Sequence, residues 1–236
     1  MSETLSIVVP VYNEIAFAEA SLRGLMQAHL PTIARREVIV VDDGSTDGTR
    51  DLLRRLRDEM GFVYFEQPQN MGKGAAVRKG FELATGDYVV IHDADLEYDP
   101  NDLDKMLEPL QMGKADVVYG SRFVGSEMRR LLFYWHEKGN RFITTLVNMS
   151  TNLNFTDVET CYKMFRLDEL RKIPLECDRF DLDIELTVKA ARHRLRFYEV
   201  AIAYNGRTYD QGKKITWKDG VTALYHIVKY TFYRAP

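Results

Sequence analysis

Short, almost uniformly apolar runs recur through the first half of the chain, and a segment with apolar residues at helical spacing follows most of them. Leu5–Val11 (LSIVVPV) precedes Ala18, Leu22, Leu25 and Met26. Glu37–Asp43 (EVIVVDD) precedes Leu52, Leu53, Leu56 and Met60. Phe62–Phe65 precedes Ala76, Val77, Phe81 and Ala84; Tyr88–Ile91 precedes a helix from about 100 to 112; Ala115–Tyr119 closes the series. A strand apolar on both sides must be covered on both sides, and strands joined through helices run parallel. The pattern predicts an α/β chain with a Rossmann-like, mostly parallel sheet and helices on both faces.

After Gly120-Ser121-Arg122 the rhythm changes. A polar, basic stretch leads to a helix over 131–152, a strand near 162–165, a helix over 181–193 and a strand over 196–204. A Gly-containing basic loop, 205–215, then precedes a last helix over 216–233. Neither an internal repeat nor a low-complexity linker divides the chain, which reads as a single domain, 1–236.

In such sheets ligands bind at the carboxyl ends of the strands. Tyr88-Val89-Val90-Ile91 breaks into His92-Asp93-Ala94-Asp95-Leu96-Glu97. Two aspartates one residue apart, with a third carboxylate two further on, can set hard oxygens around one Mg²⁺ or Mn²⁺ and leave positions for phosphate oxygens. The first strand ends in Pro10-Val11-Tyr12-Asn13-Glu14 and the second in Asp42-Asp43-Gly44-Ser45. Carboxylates on neighbouring strand ends can accept hydrogen bonds from ribose hydroxyls and a base N–H, which points to a nucleoside; turn formation and helix capping are the other use of Asp42 and Asp43. Lys73, between Gly72 and Gly74, can meet a phosphate. The loop lacks the GxxxxGK[ST] spacing, and no GxGxxG follows the first strand.

The net charge of −3 leaves no basic excess to neutralise a nucleic-acid backbone. Cys161 and Cys177 are too few for a disulfide framework and lack metal-ligand spacing, and His136, His193 and His226 form none either. His92 reads as structural, and Asp181, Asp183 and Glu185 as a solvated helix start favoured by its dipole. The N-terminal residues show no signal peptide, and no apolar run reaches the ~20 residues of a spanning helix. These features predict a cytoplasmic protein.

Pro10–Glu14, Asp42-Asp43-Gly44-Ser45-Thr46-Asp47-Gly48-Thr49, Gly72-Lys73-Gly74 and Asp93-Ala94-Asp95, in this order and spacing, resemble glycosyltransferase family 2. The stretch Asp93–Pro100, Gly120-Ser121-Arg122, Arg207–Lys214 and Trp217–Gly220 are similar to the polyprenyl-phosphate sugar transferases of the dolichyl-phosphate mannose synthase type. The resemblance implies a GT-A-type fold and an inverting transferase with a nucleotide-diphosphate sugar donor, UDP- or GDP-linked. It gives residues 1–122 to donor and metal and 123–236 to the acceptor. By the same resemblance Pro10, Tyr12, Glu14, Val41 and Asp43 hold the nucleoside, Asp93 and Ala94 lie against ribose and diphosphate, and Asp95 and Glu97 bind the metal. Arg122, Arg207 and Lys213 meet phosphate groups. Many dolichyl-phosphate mannose synthases carry glutamine where this chain has Glu97.

A phosphate monoester acceptor is largely ionised at pH 7, since its second pKa is about 6, and needs little help from a base. A sugar or protein hydroxyl, the alternative acceptor, would need one; Asp157 is the candidate, or else it caps a turn. A non-catalytic nucleotide-sugar-binding module is the remote alternative. Residues 206–236 carry six Lys or Arg against two Asp, with Trp217, Val221, Leu224, Tyr225, Val228 and Phe232 on one helical stripe. Arg129 and Arg130 precede the apolar stretch Leu131–Trp135. Two amphipathic segments of this kind suit an anionic membrane surface, or else are core helices. The first use places the protein peripherally on the cytoplasmic membrane face, docked by itself or through a separate membrane protein.

Overall fold

The computed structural model describes residues 3–125, 128, 130, 131, 133–208 and 217–233, of which 217–221 by backbone alone. Among the described residues seven strands form one sheet: β1 (Thr4–Val11), β2 (Arg35–Asp42), β3 (Val63–Glu66), β4 (Tyr88–Ile91), β5 (Val117–Ser121), β6 (Lys163–Arg166) and β7 (Phe197–Ala201). Their order is β3-β2-β1-β4-β6-β5-β7. All neighbouring pairs are parallel except those of β6, which runs antiparallel to both β4 and β5. Seven of the eight β1 residues are buried, and β4 is buried throughout. Uniform apolarity thus marks the strands with helices on both sides.

The helices are α1 (Ala18–Gln27), α2 (Thr49–Met60), α3 (Lys73–Leu83), α4 (Asp102–Gln111), α5 (Tyr134–Thr151), the short α6 (Leu167–Leu170), α7 (Leu182–Arg192) and α8 (Trp217–Thr231). α2 begins later than Ser45-Thr46-Asp47 suggests. Gly48 enters with φ +96°, and Asp47 Oδ1 accepts the Thr49 N–H at 3.0 Å. α6 escapes sequence reading because one turn has no periodicity to detect.

Because β6 is reversed, its first residue, Lys163, pairs with Tyr119 near the end of β5. The segment leading into β6 therefore lies at the same edge as the ends of β1, β2, β4 and β5. The sheet order turns at β1 and β4, so that edge is also the switch point of the fold.

On α8 the side turned inward carries Ala223, Ile227 and Tyr230. Tyr225, Val228 and Phe232 are exposed and Leu224 borders on it, so this part of the apolar stripe is not core. Leu131, Tyr134, Trp135, Phe142 and Met149 are exposed on and before α5. No helix among the described residues is long and apolar enough to cross a membrane.

Candidate active site

A cavity of about 1420 Å³ opens at this edge. Of the residues singled out from sequence, Pro10, Tyr12, Glu14, Asp43, Lys73, Asp93, Ala94, Asp95, Glu97, Arg122 and Arg207 line it. Asp42, Val41 and Asp157 do not. Lys213 lies outside the described residues, as do Arg129, Lys214 and Arg234; of Trp217 and Val221 only the backbone is described.

The ends of β1 and β2 are laced together. Asn13, at φ +49°, accepts the Thr46 N–H on its side chain at 2.8 Å and donates its own N–H to Ser45 Oγ at 3.0 Å. Asp42 points into the protein: its carboxylate is fully buried, and Arg50 Nε donates to it at 2.8 Å. Val41 is likewise fully buried. Neither residue lines the cavity, since both side chains are fully buried in the protein. Asp43 does face it, but its oxygens accept the N–H groups of Met71 (2.7 Å) and Gly72 (2.9 Å) and the Asn70 amide (3.0 Å). Burial outweighs these bonds and leaves its carboxyl above the ordinary value. The loop held this way includes Gly72 at φ +104°, where a Cβ would meet the Asp178 carbonyl at 2.2 Å. Only glycine fits there.

Past β4, three carboxylates converge. Lys73 Nζ donates to Asp93 Oδ2 at 2.7 Å. Burial alone would raise the Asp93 carboxyl, yet the Lys73 ammonium and its hydrogen bond hold it below the ordinary range. Asp95 goes the other way: burial, then the charges of Asp93 and Glu97, push it up to about 7 despite Arg207. Leu96, at φ +61°, turns the backbone so that Glu97 N donates back to Asp95 Oδ1 at 3.1 Å. Arg207 lies among these groups, 3.2 Å from Glu14, 3.2 Å from Asp95 and 3.5 Å from Glu97. Its backbone N–H donates to Glu97 Oε1 at 2.7 Å, and the Tyr204 hydroxyl donates to Oε2 at 2.9 Å. Buried hard oxygen donors gathered in one cluster, where burial and then the neighbouring carboxylates raise Asp95, are the donor set of a divalent cation. Asp95 and Glu97 fit a divalent cation on that observation.

Asp157 is not an available base. Its buried carboxylate accepts two guanidinium bonds from Arg122, at 2.7 and 2.8 Å, and the Arg122 N–H at 3.1 Å. It positions Arg122, whose guanidinium also stacks 5.1 Å from the Tyr204 ring centre.

Glu159, two residues on, lines the cavity instead. It makes no hydrogen bond among the described residues. Burial, then the neighbouring Asp183 charge, pushes it up to about 7. Asp183 also lines the cavity and ion-pairs with the buried Lys163. Glu185 is buried against Lys189 at 2.6 Å, and Asp181 lies beside His226 at 3.0 Å. The start of α7 is therefore engaged rather than solvated. His92 is structural as expected, within 2.9 Å of the Tyr162 hydroxyl and pushed down to about 4 by burial.

Phe133, Tyr134, Trp135 and His136 with Arg130 and Leu131 line the same cavity. One cavity is thus lined both by the carboxylates and by the exposed apolar start of α5.

The family model for glycosyl transferase family 2 matches residues 6–173. The low-salt glycan biosynthesis hexosyltransferase Agl6 of Haloferax volcanii is 28% identical over 88% of this chain and 49% of its own length. The undecaprenyl-phosphate 4-deoxy-4-formamido-L-arabinose transferase of Aeromonas hydrophila is 33% identical over 69% of this chain and 48% of its own. The chain thus spans about half the length of these relatives. Among solved structures, glucosyl-3-phosphoglycerate synthase of Mycobacterium tuberculosis, in complex with Mn²⁺, UDP and glucosyl-3-phosphoglycerate, superposes with a TM-score of 0.74. The match covers 97% of this chain and 80% of that one at 19% identity, a likeness of fold.

Proposed function

The chain belongs to glycosyl transferase family 2, and from that membership we propose an inverting, metal-dependent glycosyltransferase. It moves a hexose from a nucleotide-diphosphate sugar to a polyprenyl phosphate at the cytoplasmic membrane face. The observation that carries this reading is one cavity lined both by donor-type carboxylates and cations and by an exposed aromatic, apolar front. A water-soluble acceptor has no use for such a front. The undecaprenyl-phosphate substrate in the name of the Aeromonas relative supports the same choice.

Pro10, Tyr12, Glu14 and Asp43 line the nucleoside end, with Asp43 acting through the loop it fixes. Lys73 compensates Asp93 so that this carboxylate stays ionised beside the ribose. Asp95 and Glu97 would hold Mn²⁺ or Mg²⁺, which supplies positive charge for the departing diphosphate. Arg207, within the same cluster, stabilises charge that grows as the anomeric bond breaks; a preorganised donor of this kind is typically worth about 10²–10³ in turnover. The acceptor phosphate attacks already ionised, so no residue needs to take its proton. Arg122, fixed by Asp157, and Arg130 offer it guanidinium groups on the acceptor side.

The test is transfer from a panel of labelled UDP- and GDP-sugars into an organic-extractable product, with and without polyprenyl phosphate, in Mn²⁺ or Mg²⁺. A lipid product that requires both metal and lipid is expected. Transfer to a soluble hydroxyl acceptor, or donor hydrolysis with no lipid product, would overturn the acceptor assignment.

A further inference from the structure

Behind the cavity wall, the segment before α7 and the middle of α8 bring together three side chains that are far apart in sequence. Cys177, Asp181 and His226 each offer one ligand atom, and these atoms all lie within 4.8 Å of one another. The Cys177 sulfur is 3.6 Å from His226 Nδ1, and Asp181 Oδ2 is 3.0 Å from His226 Nε2. The sulfur faces Nδ1 and the carboxylate Nε2, and one ion uses one ring nitrogen; a side-chain rotation of His226 or Asp181 is therefore needed to bring the three ligand atoms to the spread of about 3.3–3.8 Å set by zinc bonds of about 2.0–2.3 Å.

A second observation points to a ligand. The Asp181 side chain is nine-tenths buried, and its Oδ1 has no hydrogen-bond partner among the described residues. An unsatisfied buried carboxylate oxygen is costly, and evolution normally pairs or hydrates it. Its carboxylate is grouped with a thiol and an imidazole, a donor set that zinc takes.

We propose that Cys177, Asp181 and His226 form a second metal site, for Zn²⁺ or a similar borderline-soft divalent ion, distinct from the oxygen-rich site at Asp95 and Glu97. The three ligands leave one coordination position, near which the Tyr230 hydroxyl stands, 3.0 Å from the sulfur. A bound metal would take the Cys177 thiol as its thiolate. The site would pin α8 to the 177–181 segment. The backbone of that segment already closes on the loop at the nucleotide end: Ala75 N donates to the Asp178 carbonyl at 3.0 Å.

Co²⁺ serves as the probe, because a thiolate–cobalt charge-transfer band can arise only from Cys161 or Cys177, the chain's two cysteines. The full chain, reduced and chelator-treated, is titrated with Co²⁺ and then with Zn²⁺. One equivalent of Co²⁺ should give the band, and one equivalent of Zn²⁺ should bleach it. The band should vanish in Cys177→Ser and His226→Gln and persist in Asp95→Ala. Asp181→Asn should weaken binding by at least about 10–100-fold, the range seen when a carboxylate that merely orients a ligand is removed. If Cys177→Ser does not fold, His226→Gln, its fold checked by circular dichroism, decides. No thiolate band in the wild type, or one that survives His226→Gln, overturns the proposal.

Discussion

Replacing Asp157 with asparagine separates a positioning residue from a base. Asp157 is fully buried and the Arg122 side chain is 9% exposed, and the pair shares two guanidinium bonds. Asparagine keeps the shape and removes the charge, leaving an uncompensated guanidinium away from water. Breaking such a pair from one side costs about 3–5 kcal/mol, which for a chain of this size lowers the melting temperature by about 6–20 °C. Replacing both partners at once, Arg122→Met with Asp157→Leu, should restore most of that loss, since apolar substitution of a whole buried pair is often neutral. Thermal unfolding of Arg122→Met, Asp157→Leu and the double variant gives the coupling directly. Turnover should fall in Asp157→Asn through the displaced Arg122, whether the acceptor is a phosphate or a hydroxyl. If Asp157→Asn melts with the wild type while turnover collapses only with a hydroxyl acceptor, the positioning role is refuted and a base is restored.

Three further outcomes follow. Asp95→Ala should abolish metal-stimulated transfer, by at least about 10²–10³ in turnover, with Mn²⁺ titration by electron paramagnetic resonance showing weakened binding. Glu159, raised from 4.5 to about 7, is protonated more readily folded than unfolded. Its contribution is therefore fully present below about pH 4.5 and is lost as pH rises through about 7. Glu159→Gln should flatten stability over that window, by at most about 3 kcal/mol, in denaturant melts at several pH values. Replacing both Tyr134 and Trp135 with serine should reduce sedimentation with anionic vesicles while leaving the melting temperature within about 2 °C, because both side chains are exposed.

The donor side was legible because its signals are local. Pro10, Asp93 and Asp95 sit at or just beyond strand ends that apolarity alone locates, and the order of those strands sends them to one edge. Of the two uses open to Asp42, the structure shows the turn-forming one, its carboxylate accepting the Ser45 N–H at 3.3 Å; adjacent carboxylates cannot both face the cavity, and nothing in Asp42-Asp43 says which does. The acceptor side depends on the direction of β6, which no periodicity reports. Its reversal delivers Glu159 to the cavity and lets Asp157 clamp Arg122. The Cys177, Asp181 and His226 group was invisible for a related reason, since its members meet only when α8 returns across α7.

The reversed β6 also bears on how such a chain diversifies. Residues 122–162 leave the sheet at the end of β5 and re-enter it at the start of β6, with both ends at the cavity edge. That stretch is a cartridge clipped in at two fixed points. Between those points only α5 is regular structure among the described residues, and doubling the length of a flexible part costs only about 0.6 kcal/mol in closure entropy. Under the proposed function, variation in this stretch changes what receives the sugar and leaves unaltered the strand ends assigned to its donor.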